Sequence, residues 1–227
     1  MPASPASLAS LVWLCFLPFS LTYEGSNVSN LTTMISSEQH QGCPPLEQVQ
    51  SPRVASEYNV SLSQGRFYEV YYHDIVERAC TCLSKDRHID HESKSLRDSD
   101  RMLCGGGQAQ SLWFNITEEN YFIPGKNAQF DLVMECPIMN KIHFRNIVLG
   151  MGRNDGDDSR GYTWTVEYQC IEKLGVRVYV GFNIYHRDWN PPAADVEAIV
   201  GVIRQAGLGR YWDNGCIKPI SRNCDWV

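Results

Sequence analysis

Alternation between apolar and polar positions dominates the second half of the chain. Tyr162, Trp164, Val166 and Tyr168 share one parity while Thr163, Thr165, Glu167 and Gln169 share the other; past a turn at Gly175, Val176, Val178, Val180, Phe182 and Ile184 repeat the pattern. A period of two sends successive side chains to opposite faces of a strand, so these runs predict an antiparallel hairpin with one buried face. Phe130, Leu132, Met134 and Cys136 alternate with Asp131, Val133 and Glu135 in the same way, and Ile142 to Leu149 continues the β texture. Upstream, Gly65-Arg66-Phe67-Tyr68-Glu69-Val70 and the following Tyr71-Tyr72-His73-Asp74 combine a glycine opener with aromatic and β-branched residues, which predicts a first strand. Ala79 to Leu83 and Ser111 to Ile116 predict shorter strands, whereas Ser84 to Arg101 is crowded with charges, lacks an apolar face and predicts a loop.

The period changes once. Val196, Ile199, Val200 and Ile203 stand at i, i+3, i+4 and i+7, which predicts a helix over about 191–206 with its apolar stripe docked on the outside of the sheet. Asn190 is the expected cap, Pro191 suits the first helical position, Asp195 and Glu197 favour the positive end, and Gly207 suits the stop. Many antiparallel strands and one late helix make an all-β domain, and 227 residues suffice for one well-buried domain.

Ahead of that domain, Leu8 to Leu21 is an apolar run too short to cross a bilayer core of about 30 Å as a helix, and it predicts a signal peptide over 1–22. Residues 23–42, rich in Ser, Thr and Asn, predict a flexible glycosylated leader. The domain then spans 43–227, with Cys43-Pro44-Pro45 setting an extended, helix-free path towards Gly65. No later segment is long and apolar enough to span a membrane. A net charge of -6 offers no basic stripe and disfavours nucleic acid as a partner.

The cysteine count agrees with export. If Cys15 leaves with the signal peptide, Cys43, Cys80, Cys82, Cys104, Cys136, Cys170, Cys216 and Cys224 remain, an even number that suggests four bridges. Sequons at Asn27, Asn30, Asn59 and Asn115 fit a glycoprotein. Metal and cofactor chemistry is not expected. Cys80-x-Cys82 with His88-x-x-His91 would be an irregular zinc set, and Gly105-Gly106-Gly107 lacks the Lys-Ser/Thr of a phosphate cradle. The acidic loop from Gly150 to Asp158 lacks the spacing and closing glutamate of a calcium loop, and His73, His88, His91, His143 and His186 read as surface imidazoles before haem ligands.

Two stretches carry a family resemblance. Gly65-Arg66-Phe67-Tyr68-Glu69-Val70 resembles the first signature of the lipocalins, G-x-W-[YF]-E-[IV], preceded by a Cys-Pro lead-in at Cys43-Pro44 as in apolipoprotein D-like members. Asn183-Ile184-Tyr185-His186-Arg187, followed by Asp188-Trp189-Asn190-Pro191-Pro192, is similar to the family's last-strand arginine, short loop and Pro-Pro helix start. Ser159-Arg160-Gly161 stands where the family's T-D-Y loop signature falls, which marks a divergent member. The resemblance implies an eight-stranded up-and-down barrel whose base is closed by Gly65, Phe67 and Arg187, the guanidinium lying across the ring that replaces the family's tryptophan. It also implies a Cys43–Cys170 bridge and one from Cys80 or Cys82 to Cys216 or Cys224, which leaves Cys104 with Cys136.

An eight-stranded barrel holds one small ligand. The expected function is therefore a secreted carrier of a small hydrophobic molecule, of the fatty acid, retinoid, sterol or tetrapyrrole class, lined by Phe130, Leu132, Met134, Tyr162, Trp164, Val166, Phe182 and Ile184. Packing under the helix is the competing place for the same residues. No catalytic residue is assigned; a lipocalin-fold isomerase or de-epoxidase, or a protein-binding module, is the alternative.

Overall fold

The strands form because their sequences alternate, and they close into a barrel because both faces find something to bury against. The computed structural model describes residues 42–74, 77, 80–105, 112–134, 141–153, 161–220 and 224. Strands β1 (Gly65–His73), β2 (Cys80–Asp90), β3 (Ser95–Cys104), β4 (Leu112–Phe122), β5 (Gln129–Met134), β6 (Ile142–Gly152), β7 (Trp164–Lys173) and β8 (Val176–His186) follow one another around the sheet. Each pairs antiparallel with the next, and β1 pairs with both β8 and β2, so the eight strands close as the resemblance implies. A ninth short strand, β9 (Lys218–Pro219), adds to β1 from outside.

The lead-in is not helix-free. Helices α1 (Leu46–Val49) and α2 (Pro52–Glu57) and a 3-10 turn at Val60–Ser63 precede β1. Ser51 caps α2 by accepting from the Val54 amide, and Pro52 stands at the first position, where its missing N–H costs nothing. Gln50 then reaches the closed end of the barrel, donating to Ala128 O and Val148 O and accepting from Gln129 Nε2. The chain is thereby pinned across the base before the first strand begins.

The segment from Ser84 to Arg101 is a long hairpin, β2 with β3, and not a loop. Its missing apolar face has a physical reason: Lys85, Arg87, Asp98 and Asp100 fill the middle of the inward face, all buried and paired with opposite charges, and only Leu96 beside them is a buried apolar residue of the segment. Likewise, the hairpin of β7 and β8 buries both faces. Trp164, Val166, Tyr168, Phe182 and Ile184 join Ile199 and Ile203 of α3 (Ala193–Gln205) in one apolar cluster outside the barrel. The alternate residues Thr165, Glu167, Gln169 and Asn183 are equally buried on the inner side.

Helix α3 lies where the apolar stripe placed it, but its cap differs. Pro192 stands at the N-cap with no side-chain hydrogen bond, and Asn190 instead donates its amide to Asp188 Oδ1. A short helix, α4 (Gly209–Asp213), continues towards the tail.

Among the described residues three disulfides are formed: Cys43–Cys170, Cys80–Cys104 and Cys82–Cys224. The first ties the lead-in to β7, and the third ties the tail to β2. Cys104 does not pair with Cys136, because Cys80 stands directly opposite it in the β2–β3 register. Cys136 lies outside the described residues, as do Cys15, Asn27, Asn30, the expected signal peptide, the leader up to residue 41, and Ser159-Arg160. Cys216 forms no disulfide among the described residues.

Candidate functional site

The base of the barrel is built from Phe67. Its ring lies between two guanidinium groups, Arg187 at 3.8 Å and Arg87 at 5.4 Å from the centroid. Arg187 also donates to Tyr162 O at 3.0 Å, Arg66 O at 2.9 Å and Gln64 O at 2.5 Å, so it staples β8, the start of β1 and the crossing chain. Gly65 makes room for this: a Cβ there would meet Arg187 Nη1 at 2.9 Å, and its φ of +93° suits only glycine. Burial, followed by repulsion from Arg87, pushes the Arg187 pKa down to about 10, which leaves it charged at neutral pH. Tyr58 stacks on Tyr162 at 5.5 Å and completes the plug. Replacing Arg187 with alanine should therefore cost about 1 to 2 kcal/mol through the lost ring and carbonyl contacts. An unchanged urea midpoint with unchanged slope would count against this staple.

Above the plug the interior is charged. Lys85 Nζ lies 2.9 Å from Glu118, 3.1 Å from Asp98 and 3.6 Å from Asp100. Arg87 spans the lumen from β2 to Glu167 on β7 at 2.5 Å and also faces Asp98 at 3.4 Å. Asn146 donates to Glu167 and to Asn120, and Asn183 donates to Glu69 at 3.0 Å. Among the described residues, six buried carboxyls inside the barrel (Glu69, Glu77, Asp98, Asp100, Glu118 and Glu167) face two buried cations, Lys85 and Arg87, and the half-buried Asp74 borders the same space.

Burial of charge in a low dielectric is costly unless it is paired, and two cations cannot keep six carboxylates ionised. The titration of the site follows. Burial opposes the Lys85 charge, but Asp100, Glu118 and Asp98 outweigh it and hold its pKa well above the lysine range. Burial likewise opposes the Glu167 carboxylate, yet Arg87 and Lys85 prevail and lower its pKa. Asp100 and Glu118 are pushed up by burial despite Lys85, since one ammonium is shared among three acids. Glu69 rises to about 8, chiefly by burial, and its partner Glu77 rises well above the usual range by burial and by the Glu69 charge.

Towards the open end, Glu77, Glu118, Asn183, Met102, Ile116 and Met134 border a cavity of about 20 Å³, room for one water-sized group. Tyr179 stands over this end and donates to Asp74 Oδ2 at 2.5 Å.

The expected lining divides in two. Phe130, Leu132 and Met134 lie on the inner face, their cross-strand neighbours being Asn146, Asn120 and Glu118. Trp164, Val166, Phe182 and Ile184 lie on the outer face under α3, and Tyr162 belongs to the base plug with Phe67 and Tyr58. The two faces of β7 and β8 cannot be told apart by hydrophobicity, because the helix is a more apolar neighbour than the lumen. Asn59 and Asn115 are exposed, as glycan acceptors must be.

The fold can now be compared with known structures. Lobster apocrustacyanin A1 superposes with a TM-score of 0.58 at 12% identity, covering 81% of this chain and 90% of that one. Insecticyanin from the tobacco hornworm Manduca sexta gives 0.58 at 11% identity, covering 80% and 87%. The cockroach allergen Per a 4 gives 0.54 at 11% identity, covering 80% and 95%. The fold is that of a lipocalin. No family model matches the sequence, and no curated protein matches it either. Within the lipocalin barrel, the residues that sequence reasoning missed are the charged ones. Their signal is present as like-parity pairs of opposite sign on adjacent strands, Lys85-x-Arg87 against Asp98-x-Asp100.

Proposed function

We propose that this chain is an extracellular carrier that holds one small molecule in the upper half of its lipocalin barrel. The observation that carries the reading is the difference between the two ends. The base is sealed by Phe67, Arg187 and the Tyr58–Tyr162 stack, while above Lys85 the side chains of Met102, Ile116 and Met134 with Glu77, Glu118 and Asn183 leave a water-sized cavity of about 20 Å³ that a ligand would widen by displacing the flexible methionines. Export is supported by three disulfides, by the apolar run from Leu8 to Leu21 and by exposed sequons at Asn59 and Asn115.

The lining narrows the ligand. A fatty-acid carboxylate placed here would lose its hydration and find Lys85 and Arg87 already paired with their own acids. A molecule apolar at one end and neutral at the other meets no such penalty. The Glu69–Glu77 pair is also the feature that favours an enzyme, because a carboxyl kept neutral near pH 7 can act as a general acid.

Native mass spectrometry on protein purified from its secreting source, followed by organic extraction, tests the carrier reading. One intact small molecule per chain is expected. Recovery of a chemically altered product after added ligand is consumed would favour the enzyme. Empty protein that gains no thermal stability from retinol, cholesterol, palmitate or simple amines would contradict the carrier.

A further inference from the structure

We propose that an N-linked glycan on Asn115 is seated on the indole of Trp113, so that its first sugar forms part of the outer face of the β3–β4 hairpin. The inference rests on the export reading above, because only an exported chain meets the glycosylating enzyme. It gives an exposed aromatic residue a partner carried by the same strand. Three observations lead to it.

The first is the face these residues share. Ile116 and Glu118 border the lumen cavity, and Asn120 accepts from Asn146 inside the barrel. The alternate residues of β4, Trp113, Asn115, Thr117 and Glu119, therefore stand on the outer face. Asn115-Ile116-Thr117 is a full sequon, its two polar residues point outwards, and Trp113 is the next outward residue along the strand. Side chains two apart on one face of a strand are separated by about 7 Å, within reach of a sugar joined to the Asn115 amide.

The second is uncovered ring surface. Trp113 is 37% exposed although Arg101 lies over its ring at 4.4 Å. Helix α3 packs on β6 and β7, two or more strands away around the sheet. An indole left in water forgoes one of the largest apolar burials open to a side chain. The C–H face of a pyranose covers such a ring, since its hydrogens carry partial positive charge and the π-face is negative.

The third is the place of the cation. Arg101 stands directly opposite Asn115 in the β3–β4 register and reaches diagonally to Trp113. It holds the indole beside the sequon before any sugar is attached, which lowers the ordering entropy that a sugar contact would otherwise cost.

The full chain secreted from cultured eukaryotic cells provides the test, by peptide mass spectrometry at Asn115 and by thermal unfolding of the unaltered protein, Asn115→Gln, Trp113→Ala and the double variant. Asn115 should be occupied. Asn115→Gln should lower Tm by about 2 °C or more when Trp113 is present, and by less than about half as much once Trp113 is alanine. An equal loss in both backgrounds, or none in either, overturns the inference. If Trp113→Ala fails to fold, the unaltered glycoprotein decides: nuclear Overhauser contacts between the Trp113 indole and the Asn115-linked N-acetylglucosamine are expected, and their absence overturns the seat. Secretion with Asn115 bare and other sequons occupied overturns the inference and leaves export standing. Retention inside the cell with every sequon bare overturns both.

Discussion

Replacing Lys85 with methionine is expected to destabilise the protein by about 3 to 5 kcal/mol, the largest effect of any single change in the lumen. Lys85 is 2% exposed and is the only ammonium within reach of Asp98, Asp100 and Glu118 among the described residues. Methionine fills much of the same volume, so the loss is electrostatic and not a cavity. Asp100 and Glu118 would be left to ionise without a cation, and Asp98 with Arg87 alone, or they would take up protons at a cost that grows as the pH rises. The destabilisation should therefore be larger at pH 8 than at pH 5. The contrasting change is Arg66→Ala: Arg66 pairs with Asp86 at the surface, both side chains about half exposed, and its loss should cost less than about 1 kcal/mol. Urea midpoints for both variants, measured with unchanged slopes, check the pair of expectations. Equal small losses would mean that the lumen is hydrated and the Lys85 cluster is worth no more than a surface contact.

The second large effect is a fall in stability with rising pH. Glu69 has a folded-state pKa of about 8 against an ordinary value of 4.5, raised first by burial. Between those values the folded chain holds a proton that the unfolded chain has lost. The slope of unfolding free energy with pH is then negative, about 1.4 kcal/mol per unit for one such proton. The contribution is complete below about 4.5 and is gone once the pH has climbed through 8. Glu77, Asp100 and Glu118 are shifted the same way and add to the loss, whereas the lowered Glu167 acts oppositely and only at acid pH. Glu69 and Glu77 are coupled, so the measured curve belongs to the pair. Thermal or urea unfolding from pH 5 to pH 9 should show a decline of several kcal/mol, and Glu69→Gln should flatten it. Stability that rises across this range would contradict the buried acid pair.

How much of this was legible in the chain depended on which face of each strand carried the signal. The barrel was readable from Gly65 to Val70 and from Asn183 to Pro192, because a plug residue and its arginine are fixed by contacts that recur wherever a barrel is closed this way. Helix α3 was readable because Ile199 and Ile203 must be buried together. Ser84 to Arg101 was misread as loop for the reason that makes it informative: its buried face is ionic, so a hydrophobicity pattern sees nothing to bury.

Which residues face the lumen was half legible for a related reason. Phe130, Leu132 and Met134 were assigned by parity and face the lumen, while Trp164, Val166, Phe182 and Ile184 have the same parity signal and face α3. Period two says that a face is buried, not against what. The disulfide of Cys80 to Cys104 was hidden because only the register of β2 on β3, fixed by Lys85 opposite Asp100 and Arg87 opposite Asp98, sets those cysteines opposite one another.

The central claim is that the ligand site is the polar inner face and not the apolar cluster beneath α3. Side-chain amide and indole signals in a nitrogen-15 correlation spectrum report on both at once, since Asn183 and Asn146 lie in the lumen and Trp164 lies under the helix. On titration with the molecule recovered by organic extraction, the Asn183 and Asn146 amide signals should shift with saturation at one equivalent while the Trp164 indole stays in place. A Trp164 shift with the lumen amides unmoved would contradict the account.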